Sequence, residues 1–399
     1  MRIAQVTFAC NKRGGIERVV FELSRRLARS HEVHIFAGAC ELEQDGIVFH
    51  RVPTLRWPWA FNLLGYFITT ARAVARLGAR SPFDIVHVQG VPSALASDVT
   101  TAHSVHCRGT ARQKEFLSAW QRGWRYVKTV EPLVMWLTGY NFRPSRCRRV
   151  IAISRRVRDE VSDAFGMPPE RIEVIPNGVD IEEFRPVESE EAQRDLRARL
   201  GLPAGRVVAL FVANDFKWKG LDTLLVALSR MERKARPLLL VAGDSRDSIL
   251  SLRRCRSIAG CLGLTGDVRF LGAVTDPAAC YRAADFFVLP TVYDAFGIAI
   301  LEALSSGLPA IFSRLAGASD IVQHARDAML LDDPTDPVEL AFRMGQLASS
   351  AGLRREIGRA ARATALRYSW DRIADLTLEC YAEVLSEKAT ERRTVRSMA

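Results

Sequence analysis

Residues 286–311 read FFVLPTVYDAFGIAILEALSSGLPAI. The first four form a short apolar run of strand length, Tyr293 and Asp294 fall in a loop, and Gly297 opens an apolar stretch long enough for a helix. A new apolar run begins at 309–311. Strand, loop, helix and strand in that order make the unit of a parallel sheet covered by helices. In open sheets of this kind ligands bind outside the carboxyl ends of the strands, against helix N-termini.

The same alternation extends in both directions. Segments 207–213, 237–242, 268–271, 286–289 and 309–311 read as strands of one α/β unit, and 2–9, 32–37, 84–88, 98–101, 149–153 and 172–175 as strands of an earlier one. Two doubly wound domains are therefore expected, with a linker rich in acids and proline near 178–188. Residues 354–385 have helical apolar spacing interrupted near Tyr368 and Ser369, which predicts two helices with a bend. Residues 387–399, EKATERRTVRSMA, lack an apolar face and are expected to fray.

Composition sets outer limits. With 399 residues, 48% apolar and 25% charged, the chain has an ordinary globular balance, which excludes collagen, coiled coil and disordered polymer. The longest membrane-like run, 57–68, is interrupted by Pro58, Asn62 and Gly65, so no transmembrane helix is expected. The opening MRIAQVTFAC is too short and too polar for a signal peptide, and eight cysteines without a C-x-x-C pair read as reduced thiols of a cytoplasmic protein. The formal charge of +11 favours anionic partners. Its densest region is 107–149, where many cations and only two acids, Glu115 and Glu131, are interleaved with Trp and Tyr.

Four segments could carry chemistry. Asp294 and Glu302 are eight residues apart, so they can reach different hydroxyls of one extended ligand while the amides between them hold its phosphates; they could equally be a capping acid and a solvated glutamate. Gly14 and Gly15 precede an amphipathic helix with Val19, Val20, Leu23 and Leu27 on one face, which suits either an anion at the helix tip or a tight turn without ligand. Lys217 and Lys219 follow a strand and read as phosphate cations or as surface lysines. His103 and His106 follow the strand at 98–101, in a functional or a structural role. No Asp-x-Asp, His/Cys cluster, P-loop or G-x-S-x-G occurs, so the sequence offers no metal-held phosphate site, no Walker motif and no serine elbow.

Taken jointly, Gly14, Gly15 and Arg18, the strings IAISRRVRDEV and VIPNGVDIEEFRP within 151–186, Lys219 with Gly220, VAGD at 241–244 and the stretch 294–309 resemble the GT-B glycosyltransferases of family 4. The DFKWKG loop and DAFGIAILEA look most like the lipopolysaccharide core heptose glucosyltransferases, which also carry a basic aromatic insertion at the position of 107–149. The resemblance implies an α/β GT-B fold. An N-terminal acceptor-side domain would span 1–173, a nucleotide-sugar domain 174–369, and a C-terminal helix at 370–399 would return to the first domain.

It further implies retaining transfer of a hexose from a nucleotide-diphosphate sugar, a UDP-sugar first among them, held in the cleft between the domains. In that picture Lys219 meets the diphosphate, Glu302 the ribose hydroxyls, Asp294 the hydroxyls of the transferred sugar, and Phe296, Gly297 and Ile298 the phosphates and sugar through their amides. Gly14 and Gly15 lie against the diphosphate, and His103 stands near the reacting centre, so His103, Lys219 and Asp294 form the catalytic set. No cofactor and no metal are implied. The sequence departs from the family at Asp294, where the first glutamate of Glu-x7-Glu usually stands, and at Asn214, where arginine is common; Arg185, Lys217 and Arg18 are candidates for the second cation.

The acceptor implied is a glycan or a lipid-linked sugar in cell-envelope polysaccharide or lipopolysaccharide synthesis. The stretch 107–149 would then rest on an anionic membrane surface at the cytoplasmic face of the inner membrane, or simply pack as a solvated helical excursion. Two alternatives share the donor site: a GT-B epimerase and a non-catalytic sugar-nucleotide binder. Nucleic-acid binding through the basic stretch would leave the motifs of the second half without a purpose, and no nucleic-acid partner is expected.

Overall fold

A computed structural model of the chain describes residues 1–53, 59–90, 93–105, 136–137, 139–243 and 251–398. His106, Asp244 and most of the basic aromatic stretch, 107–135 and 138, lie outside the described residues. The chain folds as two compact units, Met1–Gly178 with Trp370–Ala399, and Val179–Ser369.

The first unit is built on strands β1 (Arg2–Val6), β2 (Ala9–Cys10), β3 (Glu32–Ala37), β4 (Ala39–Cys40), β5 (Ile47–Arg51), β6 (Ile85–Gln89), β7 (Ser97–Ala102), β8 (Cys147–Ala152) and β9 (Ile172–Val174). Seven of them form one parallel sheet in the order β5-β3-β1-β6-β7-β8-β9, while β2 and β4 pair separately. The described helices are α1 (Gly15–Leu27), α2 (Trp59–Arg80) and α3 (Arg155–Phe165). The expected apolar stripe of α1 is buried, with Val19, Val20, Leu23 and Leu27 all turned inward. Helix α3 starts at the Ser154 hydroxyl, which accepts from the Val157 N–H, and stops at left-handed Gly166.

The second unit carries α4 (Glu190–Arg199), β10 (Val208–Val212), α5 (Leu221–Arg230), β11 (Leu238–Ala242), α6 (Leu252–Cys261), β12 (Val268–Gly272), α7 (Pro277–Ala283), β13 (Phe286–Leu289), α8 (Ile298–Ser305), β14 (Ala310–Ser313), β15 (Met329–Leu331), α9 (Pro337–Ser349) and α10 (Ala351–Ala365). Its parallel sheet has the order β12-β11-β10-β13-β14-β15, the doubly wound arrangement in which the winding direction reverses between β10 and β13. A last helix, α11 (Trp370–Met398), belongs to the first unit.

The structure corrects the sequence reading in four places. The first strand ends at Val6 rather than at residue 9, because Ala9–Cys10 leaves the main sheet to pair with Ala39–Cys40. Strands β5 and β15 were not expected: Ile47–Arg51 is a half-exposed edge without alternation, and Met329–Leu331 has only three residues. Part of the expected linker is built into the second unit, where Phe184 is buried and Arg362 donates to the carbonyls of Ile181 and Phe184. The tail does not fray at 387, since α11 continues to Met398. Ion pairs replace the missing apolar face: Arg149 meets Glu383 and Glu387 at 2.6 Å each, Arg148 meets Glu391 at 2.8 Å, and Lys388 meets Asp98 at 3.0 Å. The predicted break is real, a single turn of 3-10 helix at Leu366–Tyr368.

Candidate active site

In the second unit the loops leaving β10 and β13, the two strands at the reversal of winding, are stitched together. The Trp218 carbonyl accepts from the Val292 N–H at 3.1 Å and from the buried Thr291 hydroxyl at 3.0 Å. Gly220 makes this approach feasible: its φ is +78°, and a Cβ there would stand 2.0 Å from the Pro290 carbonyl oxygen. The stitching carries Lys219 to Asp294, with Nζ and Oδ2 2.5 Å apart. The Phe296 N–H turns to Asp294 Oδ1 at 3.3 Å, and Gly317 and Ala318 donate to the carbonyls of Asp294 and Phe296, so the loop is fixed from the β14 side as well.

Gly297 N-caps α8, whose first residue is Ile298. The opening N–H groups of a helix have no partner within it, and they add positive potential beside the Lys219–Asp294 pair. Phe296, Gly297, Ile298, Lys219 and Asp294 are thus brought together at one loop cluster. Glu302, one turn deeper on α8, is only 7% exposed, and its Oε2 lies 2.9 Å from the hydroxyl of Tyr281, which is itself fully buried and also 3.1 Å from the Ala299 carbonyl. Sequence reasoning passed over Tyr281. The available signal was a tyrosine inside the apolar run PAACYRAADFF, since a buried phenol needs a partner for its O–H.

Two of the other cations sought for a diphosphate, Lys217 and Arg185, are already committed to carboxylates. Lys217 meets Asp222 of the first turn of α5 at 2.5 Å, and Arg185, half exposed, meets Glu188 at 3.0 Å. Asn214 is exposed in the loop after β10.

Among the described residues of the first unit, Gly14 is the N-cap of α1, Gly15 its first residue, and Arg18 lies one turn on, its N–H bonded to the Gly14 carbonyl. Glu17 folds back over this tip: a Cβ on Gly14 would stand 2.0 Å from its Oε2. The tip of α1 therefore carries a carboxylate of its own, the arrangement of a capping glutamate at the third helical position. His103 follows β7 directly, 7% exposed, with Nε2 3.0 Å from Gln89 Oε1. Burial lowers its imidazole to about 4, and lowers that of neighbouring His87 to about 3. Both rings are therefore neutral at physiological pH.

No group of three or more His, Cys, Asp or Glu capable of holding a metal occurs among the described residues. No helix of these residues is long and apolar enough to cross a membrane.

Comparison with known proteins supplies the family. Residues 13–183 match the model for Glycosyltransferase Family 4, and residues 192–364 match that for Glycosyl transferases group 1. A D-inositol 3-phosphate glycosyltransferase of Salinispora tropica is 27% identical over 94% of this chain and 82% of its own length. An uncharacterised glycosyltransferase of Methanocaldococcus jannaschii is 31% identical over 58% of this chain and 59% of its own. Among solved structures, WaaG, a glycosyltransferase involved in lipopolysaccharide biosynthesis, superposes with a TM-score of 0.76 at 20% identity, covering 94% of this chain and 98% of that one. Anabaena HepE in complex with UDP-glucose superposes with a TM-score of 0.72 at 21% identity, covering 97% and 100%.

Proposed function

Because this chain belongs to the family 4, group 1 glycosyltransferases and has their GT-B fold, we propose that it moves a hexose from a UDP-sugar to a hydroxyl of a glycan or lipid-linked acceptor, with retention of anomeric configuration and without a metal. The observation that carries the reading is the Lys219–Asp294 pair beside the N-terminus of α8, where the winding of the second sheet reverses. Cleaving the bond between the anomeric carbon and the phosphate oxygen builds negative charge on the leaving diphosphate. A preorganised ammonium and helix amides stabilise that charge at the moment it forms. Binding the donor would exchange the Lys219–Asp294 contact for Lys219 to diphosphate and Asp294 to a sugar hydroxyl. Glu302, held by Tyr281, would take the ribose hydroxyls.

The acceptor oxygen would attack on the face the diphosphate is leaving. The new carbon–oxygen bond forms there as the old one breaks, and the acceptor's proton passes to the departing phosphate oxygen. A pair of enzyme carboxylates flanking the anomeric carbon, as retaining hydrolases use, is not required.

A second acceptor, a small polyol phosphate, is favoured by the relatives named D-inositol 3-phosphate glycosyltransferase. For a lipid-linked acceptor, support comes from Trp136, 52% exposed, which packs at a tilt against Phe67 and Tyr140 at ring distances of 6.3 and 6.1 Å, while Arg146 lies over Tyr140 at 4.6 Å. Such an aromatic and cationic surface suits an anionic interface. Thermal-shift screening against UDP-, GDP- and ADP-sugars, followed by nucleotide release with inositol phosphate or with acceptor-loaded anionic vesicles, tests the whole reading. Stabilisation by a UDP-sugar and release that depends on added acceptor are expected. Conversion of the donor to an isomeric nucleotide sugar without net nucleotide release would point to the epimerase reading, and binding without turnover to the non-catalytic one.

A further inference from the structure

Around His103 the first unit buries a row of polar side chains from three adjacent strands and the last helix: Gln5 on β1, His87 and Gln89 on β6, Thr101 at the end of β7, and Tyr381 on α11. Alternation along the strands puts 87 and 89, and likewise 101 and 103, on one face, while the register sets Gln5 beside His87 and Gln89 beside Thr101. The row is continuous. His87 Nε2 is 2.7 Å from Thr101 Oγ1, His87 Nδ1 is 2.6 Å from the Tyr381 hydroxyl, and Gln5 Nε2 is 3.1 Å from that hydroxyl. Gln89 Nε2 is 3.0 Å from Gln5 Oε1, and His103 Nε2 is 3.0 Å from Gln89 Oε1.

With the Gln5 and Gln89 amides oriented as they stand, the hydrogens of this chain follow in order. The Gln5 amide donates to the Tyr381 oxygen, and the phenolic hydrogen finds its acceptor in His87 Nδ1, which is then the bare nitrogen of that ring. His87 then carries its proton on Nε2 and gives it to Thr101. Gln89 spends its NH₂ on Gln5, with a longer contact to His87 Nδ1 at 3.4 Å, and therefore turns its carbonyl toward His103. An acceptor there requires N–H on His103 Nε2 and leaves Nδ1 as the lone-pair nitrogen.

We propose that Gln89, oriented by Gln5 and Tyr381, is a positioning residue that locks His103 as the neutral Nε2–H tautomer, so that His103 serves the transfer as a hydrogen-bond acceptor for a sugar hydroxyl through Nδ1. Under this assignment His103 neither gives nor takes the proton of the reaction. Its use in the reaction rests on the transferase reading above, whereas the tautomer lock stands on the first unit alone. The network also gives the returning helix a part in the site: Tyr381 sits three hydrogen bonds from His103, and its phenol is held un-ionised by burial. The titratable groups that act on members of the row are His103 on His87 and Cys380 on Tyr381, all buried.

Histidine-selective ¹⁵N labelling of the full chain, with His103→Gln to identify the resonances, reads the tautomer directly. Wild-type His103 should show a protonated Nε2 and a bare Nδ1, unchanged from pH 5 to 9. Gln89→Leu should convert it to a mixture of tautomers and lower kcat about three- to tenfold, the worth of one net hydrogen bond. Its affinity for UDP should stay within about twofold of wild type, since the proposed donor residues are on the other unit. Gln89→Glu should keep the proton on Nε2 and rescue the tautomer, while making His103 titrate at a higher pH. A wild-type His103 protonated on Nδ1, or titrating near 6.5, overturns the lock even if no Gln89 variant folds; so does a Gln89→Leu protein with the wild-type pattern. Full turnover by His103→Ala together with the wild-type Nε2–H pattern would instead overturn the catalytic reading of His103 and leave the lock standing.

Discussion

At the strand ends where winding reverses, the two units present opposite electrostatics. The second unit places Lys219 and Asp294 there as a partly exposed ion pair. The first places neutral Gln5, His87, Gln89 and His103 there, buried and bonded to one another. A side chain that must meet a diphosphate keeps its charge only if it stays near water, whereas a side chain that must present one hydrogen-bond polarity is best buried and neutral. In the proposed reading, Asp294 stands in for the diphosphate at Lys219, which it meets at 2.5 Å, and Gln89, 3.0 Å from His103 Nε2, fixes which nitrogen of His103 is available.

The sharpest way to break this contrast is Lys219→Ala. If the second unit supplies the charge, turnover should fall about 10²–10³-fold, the usual cost of one preorganised group at a developing anion, with an unchanged melting temperature. Near-wild-type kinetics would dissolve the distinction.

Next in size is the acid response of the first unit. His87 and His103 have folded pKa values of about 3 and about 4, below the unfolded value of about 6.5, so between these limits the unfolded chain binds more protons. Stability should therefore be level above about pH 6.5 and decline as pH falls through the window toward 4 and 3. Melting temperature against pH should show a shallower decline in His87→Gln than in wild type, and equal slopes would mean that the buried row is not what the acid attacks.

A smaller effect is expected from Tyr281→Phe, which removes the hydroxyl 2.9 Å from Glu302. The Michaelis constant for the donor should rise about three- to tenfold with kcat nearly constant. A 2′-deoxyribose donor should erase most of the difference between variant and wild type, whereas a purely structural loss would be the same for both donors.

The smallest effect belongs to the tail. Arg149→Ala should cost about 1 kcal/mol or less in urea unfolding, because its partners Glu383 and Glu387 are exposed. A much larger loss would give the end of α11 a stabilising role comparable to the buried row.

Much of this arrangement could be read from the residues. Both series of strands, the amphipathic α1, the glycine at the tip of α8 and the break before Trp370 follow from apolar periodicity and turn chemistry. The edges were not legible, because a three-residue strand such as Met329–Leu331 carries no periodicity of its own. The tail was misread because hydropathy does not register Arg149, Glu383 and Glu387 pairing across a distance of more than 200 positions. At the site, the loop residues that could touch a ligand were visible as charges after strands, but the residues that orient them were not. Tyr281 and Gln89 act through contacts 21 and 14 positions away, and nothing in either local string announces a partner. At the tip of α1, Glu17, three residues from Gly14 and folded over it, was not singled out from the sequence.

The central claim is that a lysine and a helix tip do the work of an ion at the departing diphosphate. Calorimetric titration of UDP into wild type and Lys219→Ala, both stripped and kept in chelator, addresses it most directly. The account predicts saturable binding by the wild type without added metal, and binding weaker by about two orders of magnitude in the variant. Binding that appears only when manganese or magnesium is restored, or equal affinity in the two proteins, would contradict it.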